Sequence, residues 1–230
     1  MTEIDILLPR KNFDITINEV FCDGITGIFG PSGSGKTSML QAIAGLALPK
    51  SGYIKTGGRV LFDSRKKINV PVEKRRVGYV FQEGRLFPHM TVEKNLLYGY
   101  KKDDGDGVKF NEVVDLLKLE NLLTRRPWQI SGGERQRTAL GRSLLSSPDI
   151  LLLDEPFSAV DTALRSRIIP FITKIQQRVR IPILVVSHEM PDLLKLTDRL
   201  CIIKEGQCHG HGKYSELFGK DTISIMSFAF

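Results

Sequence analysis

The 230-residue chain is 41% hydrophobic and 26% charged, enough apolar side chain to offset chain entropy, which excludes disorder as its main state. At roughly 100–200 residues per domain, it makes one large domain or one and a half. The 33 Lys and Arg against 26 Asp and Glu leave +7, which suits nucleic acid, an anionic membrane face or a phosphate ligand without choosing among them.

No run of about 20 apolar residues exists, so no membrane span is expected. The start, MTEIDILLPRKNFDITI, mixes acids with alternation and lacks the basic start and apolar run of a secretory signal. Cys22, Cys201 and Cys208 form no disulfide framework, and a reducing cytoplasm fits them. The basic residues are dispersed, with no aromatics between them, and read as solvated faces.

In chain order, Phe13, Ile15 and Ile17 recur at period two, as in a half-buried strand. Ile25 to Phe29 is a second apolar segment, followed by a glycine-rich loop. Met39, Leu40, Ile43 and Leu46 then fall at helical spacing, and Leu48-Pro49-Lys50-Ser51-Gly52 ends that helix. Tyr53 to Phe62 predicts a hairpin turning at Gly57-Gly58, and Val77 to Phe81 a short strand. From about Glu83 to Pro148 the texture is helical, through Val113, Leu116, Leu117, Leu119, Leu122 and Leu123, then Glu134 to Leu145.

Ile150-Leu151-Leu152-Leu153 reads as a central parallel strand covered on both faces. Thr162 to Val179 predicts a helix that Pro170 should bend or deprive of one hydrogen bond. Ile183 to Val186 is another buried strand. Leu200 to Ile203, a turn at Glu205-Gly206 and a short helix near Tyr214 to Phe218 follow, and the tail Asp221 to Phe230 carries no signal. Strands alternating with helices predict an α/β fold with a parallel sheet.

Gly30-Pro31-Ser32-Gly33-Ser34-Gly35-Lys36-Thr37 fits G-x-x-x-x-G-K-[ST] between an apolar strand and an amphipathic helix. Glycines let the backbone turn its N–H groups toward phosphate oxygens, and the helix N-terminus adds partial positive charge. Lys36 should reach the β- and γ-phosphates, and the Thr37 hydroxyl should hold Mg²⁺. Asp154-Glu155 closes the apolar run from Ile150, at a strand's carboxyl end where α/β sheets hold ligands. Asp154 can hold Mg²⁺ through water, and Glu155 can orient and deprotonate the attacking water.

Between these halves lies Ile130-Ser131-Gly132-Gly133-Glu134-Arg135-Gln136-Arg137, which resembles the LSGGQ signature of ATP-binding cassette (ABC) ATPases. Gln82 is similar to that family's Q-loop glutamine, Ser158-Ala159-Val160-Asp161 to its D-loop, and His188 to its switch histidine. The motifs stand in the family's order over about residues 1–218. The resemblance implies an α/β P-loop NTPase fold of the ABC type, with a parallel core sheet, an antiparallel β part and a helical subdomain. A RecA-like core with its β part is expected over about 1–82 and 149–220, and the helical subdomain over about 83–148.

The resemblance also implies an ATP hydrolase using ATP and Mg²⁺. ATP would be held by Gly30, Pro31, Ser32, Gly33, Ser34, Gly35, Lys36, Thr37 and Ser38, with Asp154, Asp161 and Gln82. The metal would meet Thr37, Gln82 and, through water, Asp154. Glu155, His188, Lys36 and Gln82 would carry catalysis. Two chains would form a head-to-tail homodimer sandwiching ATP, with Ser131, Gly132, Gly133 and Glu134 acting in trans. A flat glycine pair suits such an approach, since side chains would hold the backbone away.

This sequence departs from the family pattern at Ile130 for leucine and Glu134 for glutamine. No aromatic occurs from Met1 to Asn12, and Phe13 is read at an inward-facing strand position. An adenine-stacking residue is therefore in doubt.

The stretch Leu86-Phe87-Pro88-His89-Met90-Thr91-Val92 resembles importer ATPases for oxyanions, ferric iron, sulfate, polyamines and sugars. With Arg85 and Asn95-Leu96-Leu97-Tyr98-Gly99 it is most similar to those importing molybdate or tungstate. Short early segments without a longer N-terminal strand pair, and no C-terminal regulatory domain, are expected. The implied partners are integral-membrane permease subunits and a substrate-binding protein, at the cytoplasmic side of the membrane, with no nucleic acid. A soluble ABC ATPase acting on nucleic acid or the ribosome is the alternative from another class. Leu86, Phe87, Pro88 and Met90 either pack inside the helical part or line a groove for a permease helix. Cys201, Cys208, His209 and His211 match no zinc spacing.

Overall fold

The computed structural model describes residues 1–100 and 108–219, so the tail Asp221 to Phe230 lies outside the described residues. The elements run β1 (Thr2–Leu8), β2 (Ile15–Phe21), β3 (Gly24–Phe29), α1 (Lys36–Ala44), β4 (Ser51–Thr56), β5 (Arg59–Asp63), β6 (Ile68–Asn69) and β7 (Val77–Val80). Then come α2 (Val92–Leu96), α3 (Phe110–Leu117), α4 (Gly132–Leu145), β8 (Ile150–Asp154), α5 (Thr162–Val179) and β9 (Pro182–Val186). α6 (Met190–Leu196), β10 (Arg199–Lys204), β11 (Gln207–Lys213) and α7 (Tyr214–Phe218) complete the described chain.

The strands join one 11-stranded sheet in the order β6-β5-β4-β1-β2-β11-β10-β3-β9-β8-β7. The last five are parallel to one another, while β6-β5-β4-β1-β2 is antiparallel. Both faces of the parallel part are covered. Leu151, Leu153, Ile183 and Val185 face a core shared with α3, α4 and α5. Ile150, Leu152, Leu184 and Val186 face the core holding Met39, Leu40 and Ile43 of α1. Period-two alternation thus sorts a uniformly apolar strand between two layers, as a doubly covered sheet requires.

Three expectations change. The chain begins with a full strand pair: β1 and β2 run antiparallel over seven matched residues, from Thr2↔Phe21 to Leu8↔Ile15. Ile4, Ile6 and Leu8 alternate with Glu3, Asp5 and Leu7, the signal of a half-buried strand. Leu119, Leu122 and Leu123 do not extend a helix, because Lys118 turns left-handed at φ 52° and ends α3, leaving a 3₁₀ turn over Glu120–Leu122. Phe13 lies ahead of β2 rather than in it. α5 continues through Pro170, which faces solvent, where water can meet the carbonyl it leaves unpaired.

Arg75 ties the β part to α1. Its guanidinium is 1% exposed and donates to Ala42 O at 3.0 Å, Ile43 O at 2.8 Å, Val70 O at 2.8 Å and Asn69 Oδ1 at 2.9 Å. A cation on the last carbonyls of a helix also complements its dipole. No described helix is long and apolar enough to cross a membrane.

Candidate functional site

β3, β9, β8 and β7 are neighbours and parallel, so the loops leaving their carboxyl ends open on one edge. Those loops carry Gly30 to Gly35, His188, Glu155 and Gln82. Motifs more than a hundred residues apart meet there by topology alone.

The phosphate loop wraps the start of α1. Gly30, at φ 155°, has no room for a side chain, since a Cβ would stand 2.0 Å from Ile203 O. Lys36 Nζ donates to Gly30 O and Pro31 O, both at 2.8 Å. Burial lowers the pKa of its ammonium, while the charges of Glu155 and Asp154 oppose that shift. Ser34 Oγ is buried without a partner among the described residues, a donor left over for a ligand. Ser38 Oγ accepts from Arg10 Nε at 3.2 Å.

Thr37 Oγ1 donates to Asp154 Oδ1 at 3.0 Å, and Tyr79 Oη to Asp154 Oδ2 at 3.2 Å. Burial raises the Asp154 carboxyl pKa, and the bonds from Thr37 and Tyr79 and the charge of Lys36 restrain the rise. Burial together with Asp154 pushes the Tyr79 phenol up, so it remains a donor. A hydroxyl and a buried carboxylate in contact form the oxygen donor set a hard cation such as Mg²⁺ takes. With the Ser34 hydroxyl of the same loop, unpartnered among the described residues, they fit the metal and a triphosphate.

Glu155 follows β8 with φ 49°, a left-handed conformation that costs a non-glycine residue roughly 1–2 kcal/mol. It is held by Glu155 N donating to Val186 O at 3.0 Å. Its carboxylate Oε1 lies 2.9 Å from His188 Nδ1, and its side chain is 13% exposed. Gln82 sits in an exposed turn past β7, beside β8, and its carboxamide has no hydrogen-bond partner among the described residues. The structure brings it to the right edge of the sheet without bonding it to Thr37 or Asp154.

The signature is the first turn of α4. Ser131 Oγ accepts from Glu134 N at 3.3 Å, and Ser131 N donates to Glu134 Oε2 at 2.7 Å, a reciprocal capping box. These bonds lower the Glu134 carboxyl pKa. Glu134 thus serves its own helix within the chain. Gly133 answers an internal demand, since a Cβ there would stand 2.5 Å from Ala159 O. Asp161 caps α5, its Oδ1 accepting from Leu164 N at 2.9 Å, an internal role the sequence did not suggest.

A cleft of about 330 Å³ opens beside the phosphate loop, lined by Arg10, Lys11, Asn12, Phe13, Ile15 and Gly33 to Ser38. Phe13 is therefore on the wall of the candidate nucleotide site. Alternation from Ile15 and Ile17 places it inward, and it is indeed half-buried against the core that holds α1 while also facing the cleft. The chain leaves the strand register before Ile15, and that exit carries no pattern of its own. Gln136 was also missed: it is 1% exposed and bonded to the loop after Glu155.

The sequence profile described as ABC transporter matches residues 12–158. The chain is 46% identical over 225 residues to the molybdenum import ATP-binding protein ModC of Rhodospirillum rubrum, covering 97% of this chain and 61% of that protein. It is 44% identical over 225 residues to ModC of Escherichia coli (strain K12), covering 97% and 63%. The chain thus spans about three fifths of the length of these curated relatives. Among solved structures, a post-hydrolysis dimer of an ATP-binding cassette bound to ADP and Pi matches with TM-score 0.76 and 25% identity, over 93% of this chain and 98% of that one. A dimeric bacterial ABC transporter cassette matches with TM-score 0.74 and 26% identity over the same shares. With the phosphate loop, carboxylate pair and histidine on one sheet edge, the signature opening α4, and a profile covering most of the chain, this protein belongs to the ABC transporter family.

Proposed function

We propose that this chain binds and hydrolyses ATP to power a membrane importer of molybdate or tungstate. The observation that carries the hydrolytic part is the contact of Thr37 with Asp154 at 3.0 Å, with Glu155 next in sequence and held by His188. The likeness to ModC proteins supports the importer part and its oxyanion.

In this reading Lys36 exchanges the Gly30 and Pro31 carbonyls for phosphate oxygens, and the backbone N–H groups of residues 33–37 hold the rest of the triphosphate. The chemistry that Mg²⁺ supplies beside Thr37 and Asp154 is neutralisation of phosphoryl charge. Glu155 takes a proton from water as the water oxygen bonds the γ-phosphorus. The bond from that phosphorus to the β,γ-bridging oxygen breaks, leaving ADP and phosphate. His188 fixes Oε1 of Glu155 and leaves its second oxygen for the water. Ser131 and Gly132 of a second copy would bring further donors to the γ-phosphate. The dimeric cassettes among the structural neighbours support that pairing.

A partner surface is part of the proposal. Asn95, fully buried, accepts from Phe87 N at 2.8 Å and donates to Phe87 O, Met90 O and Thr91 O, so the 87–91 loop is rigid. Leu86 packs inward, while Phe87 packs against Tyr98 with tilted rings at 4.4 Å and lies under Arg142 at 5.0 Å. Leu97 and Tyr98 are exposed apolar neighbours. This patch suits a short permease helix with apolar anchors.

Mg²⁺-dependent phosphate release tests the enzyme. The expected result is turnover lowered by about 10²–10⁴ in Glu155→Gln, with nucleotide binding retained. Normal turnover in that variant overturns the assignment. Co-purification from native membranes with a multi-span permease, and molybdate binding by its companion protein, support the importer. A companion that instead binds sulfate, ferric iron, a polyamine or a sugar overturns the substrate alone.

A further inference from the structure

We infer that Gln136 is a positioning residue for hydrolysis, holding from the signature helix the peptide that carries the Glu155 carboxylate; this rests on the hydrolytic reading above. Gln136 lies in the second turn of α4, one turn past Ser131. Its side chain is 1% exposed, and its carboxamide is fully used. Nε2 donates to Glu155 O at 2.7 Å and to Ser158 Oγ at 3.3 Å, while Oε1 accepts from Ala159 N at 3.0 Å. Ser158 Oγ itself donates to Glu155 O at 3.0 Å, so the Glu155 carbonyl sits in a small closed network.

Two features make this more than packing. Glu155 is held at φ 49°, where a carboxylate-bearing residue stays only if its surroundings fix it. Its amide is tied to Val186 and its carbonyl to Gln136, so the peptide groups on both sides of the left-handed Cα are fixed. The other feature is the backbone of Gln136. Gly84, two residues past Gln82, packs so closely that a Cβ on it would stand 2.8 Å from Gln136 N. One buried residue therefore abuts the turn after β7, the Glu155 peptide and the 158–159 turn, and rides on the helix that begins at Ser131.

The test is steady-state ATP turnover of the purified chain with Gln136→Met, which fills the volume but makes none of the three bonds. The expected result is kcat lowered about 10- to 100-fold, the scale of a displaced catalytic group, with KM for ATP changed by less than about threefold. In a Glu155→Gln background the same substitution is expected to lower the residual rate no further, because coupled residues are non-additive. Binding of a fluorescent ATP analogue with the wild-type Kd reports an intact fold. If Gln136→Met does not fold, Gln136→Glu keeps the length and the acceptor toward Ala159 while removing the donor to Glu155 O, and the same kcat loss is expected. A kcat within about threefold of wild type in the folded variant overturns the inference, as does a loss confined to KM. Absence of turnover in the wild-type chain overturns the hydrolytic reading instead.

Discussion

The carbonyl oxygen of Ala159 occupies the space that a side chain on Gly133 would need, 2.5 Å from its ideal Cβ. Gly132, next to it, has nothing nearer than the flexible end of Arg135 at 3.7 Å. Two adjacent signature glycines are therefore glycines for different reasons. Gly133→Ala must push backbone against backbone and is expected to cost about 1–3 kcal/mol of stability. Gly132→Ala is expected to leave the melting temperature nearly unchanged while lowering ATP turnover through the second copy. Thermal melts and turnover of both variants check this, and equal melts would remove the distinction.

Asp154 gives a pH-dependent prediction. Its folded-state pKa is raised, first by burial, so folding favours the protonated form. That stabilisation is fully present below the ordinary carboxylate range and is lost as pH rises through the raised folded value. Asp154→Asn escapes the loss. Without nucleotide it is expected to melt above wild type at pH 7.5, the gap closing as pH falls toward 4. Adding Mg²⁺ and ATP should reverse the order, since only the carboxylate gains from a cation.

Phe13 on the cleft wall is proposed as the platform for the base. Phe13→Ala is expected to weaken ATP binding by about 1–3 kcal/mol, roughly 5- to 150-fold, by analogy with bases stacked on aromatics. Phe13→Tyr should retain affinity. A fluorescent-nucleotide titration reads both, and unchanged affinity in Phe13→Ala would place the base elsewhere.

Arg75→Lys tests the tie between the β part and α1. An ammonium cannot reproduce a fork that reaches four oxygens on two separate segments. The expected loss is about 1–3 kcal/mol, with roughly 2–4 °C in melting temperature for each kcal/mol in a chain of this size. ATP affinity should change little, because the contact is at the far end of the helix from Lys36.

The contiguous parts of this site could be read from the chain. Gly24 to Thr37 and Ile150 to Glu155 each hold strand, turn and chemistry in one short run, and in both the structure keeps that order. Contacts that join separate runs could not. Nothing local to Gln136 marks it as a partner of Glu155, since the bond depends on how α4 leans on a turn some twenty residues on. Arg75 read as one of several dispersed basic residues, yet it is almost fully enclosed. Asp161 and Glu134 carry a second task that motif position does not suggest, since local geometry gives each a helix end to cap. α6 escaped notice because seven residues after a turn hold too few helical periods to register.

The sheet of eleven strands is only as continuous as its weakest rung. β2 meets β11 at the single parallel pair Thr16↔Gln207, reinforced by Thr16 N donating to Gly206 O at 2.8 Å. β1 and β2 share seven rungs, β3 and β9 five, and β10 and β3 three. Strain or heat will therefore part the sheet at this seam first. The seam runs under the cleft, with Phe13 leading into β2 on one side and Gly206 bonded to the phosphate loop on the other. The wall that holds Phe13 can thus yield while the phosphate floor stays laced, so the two ends of a nucleotide would be gripped with different stiffness.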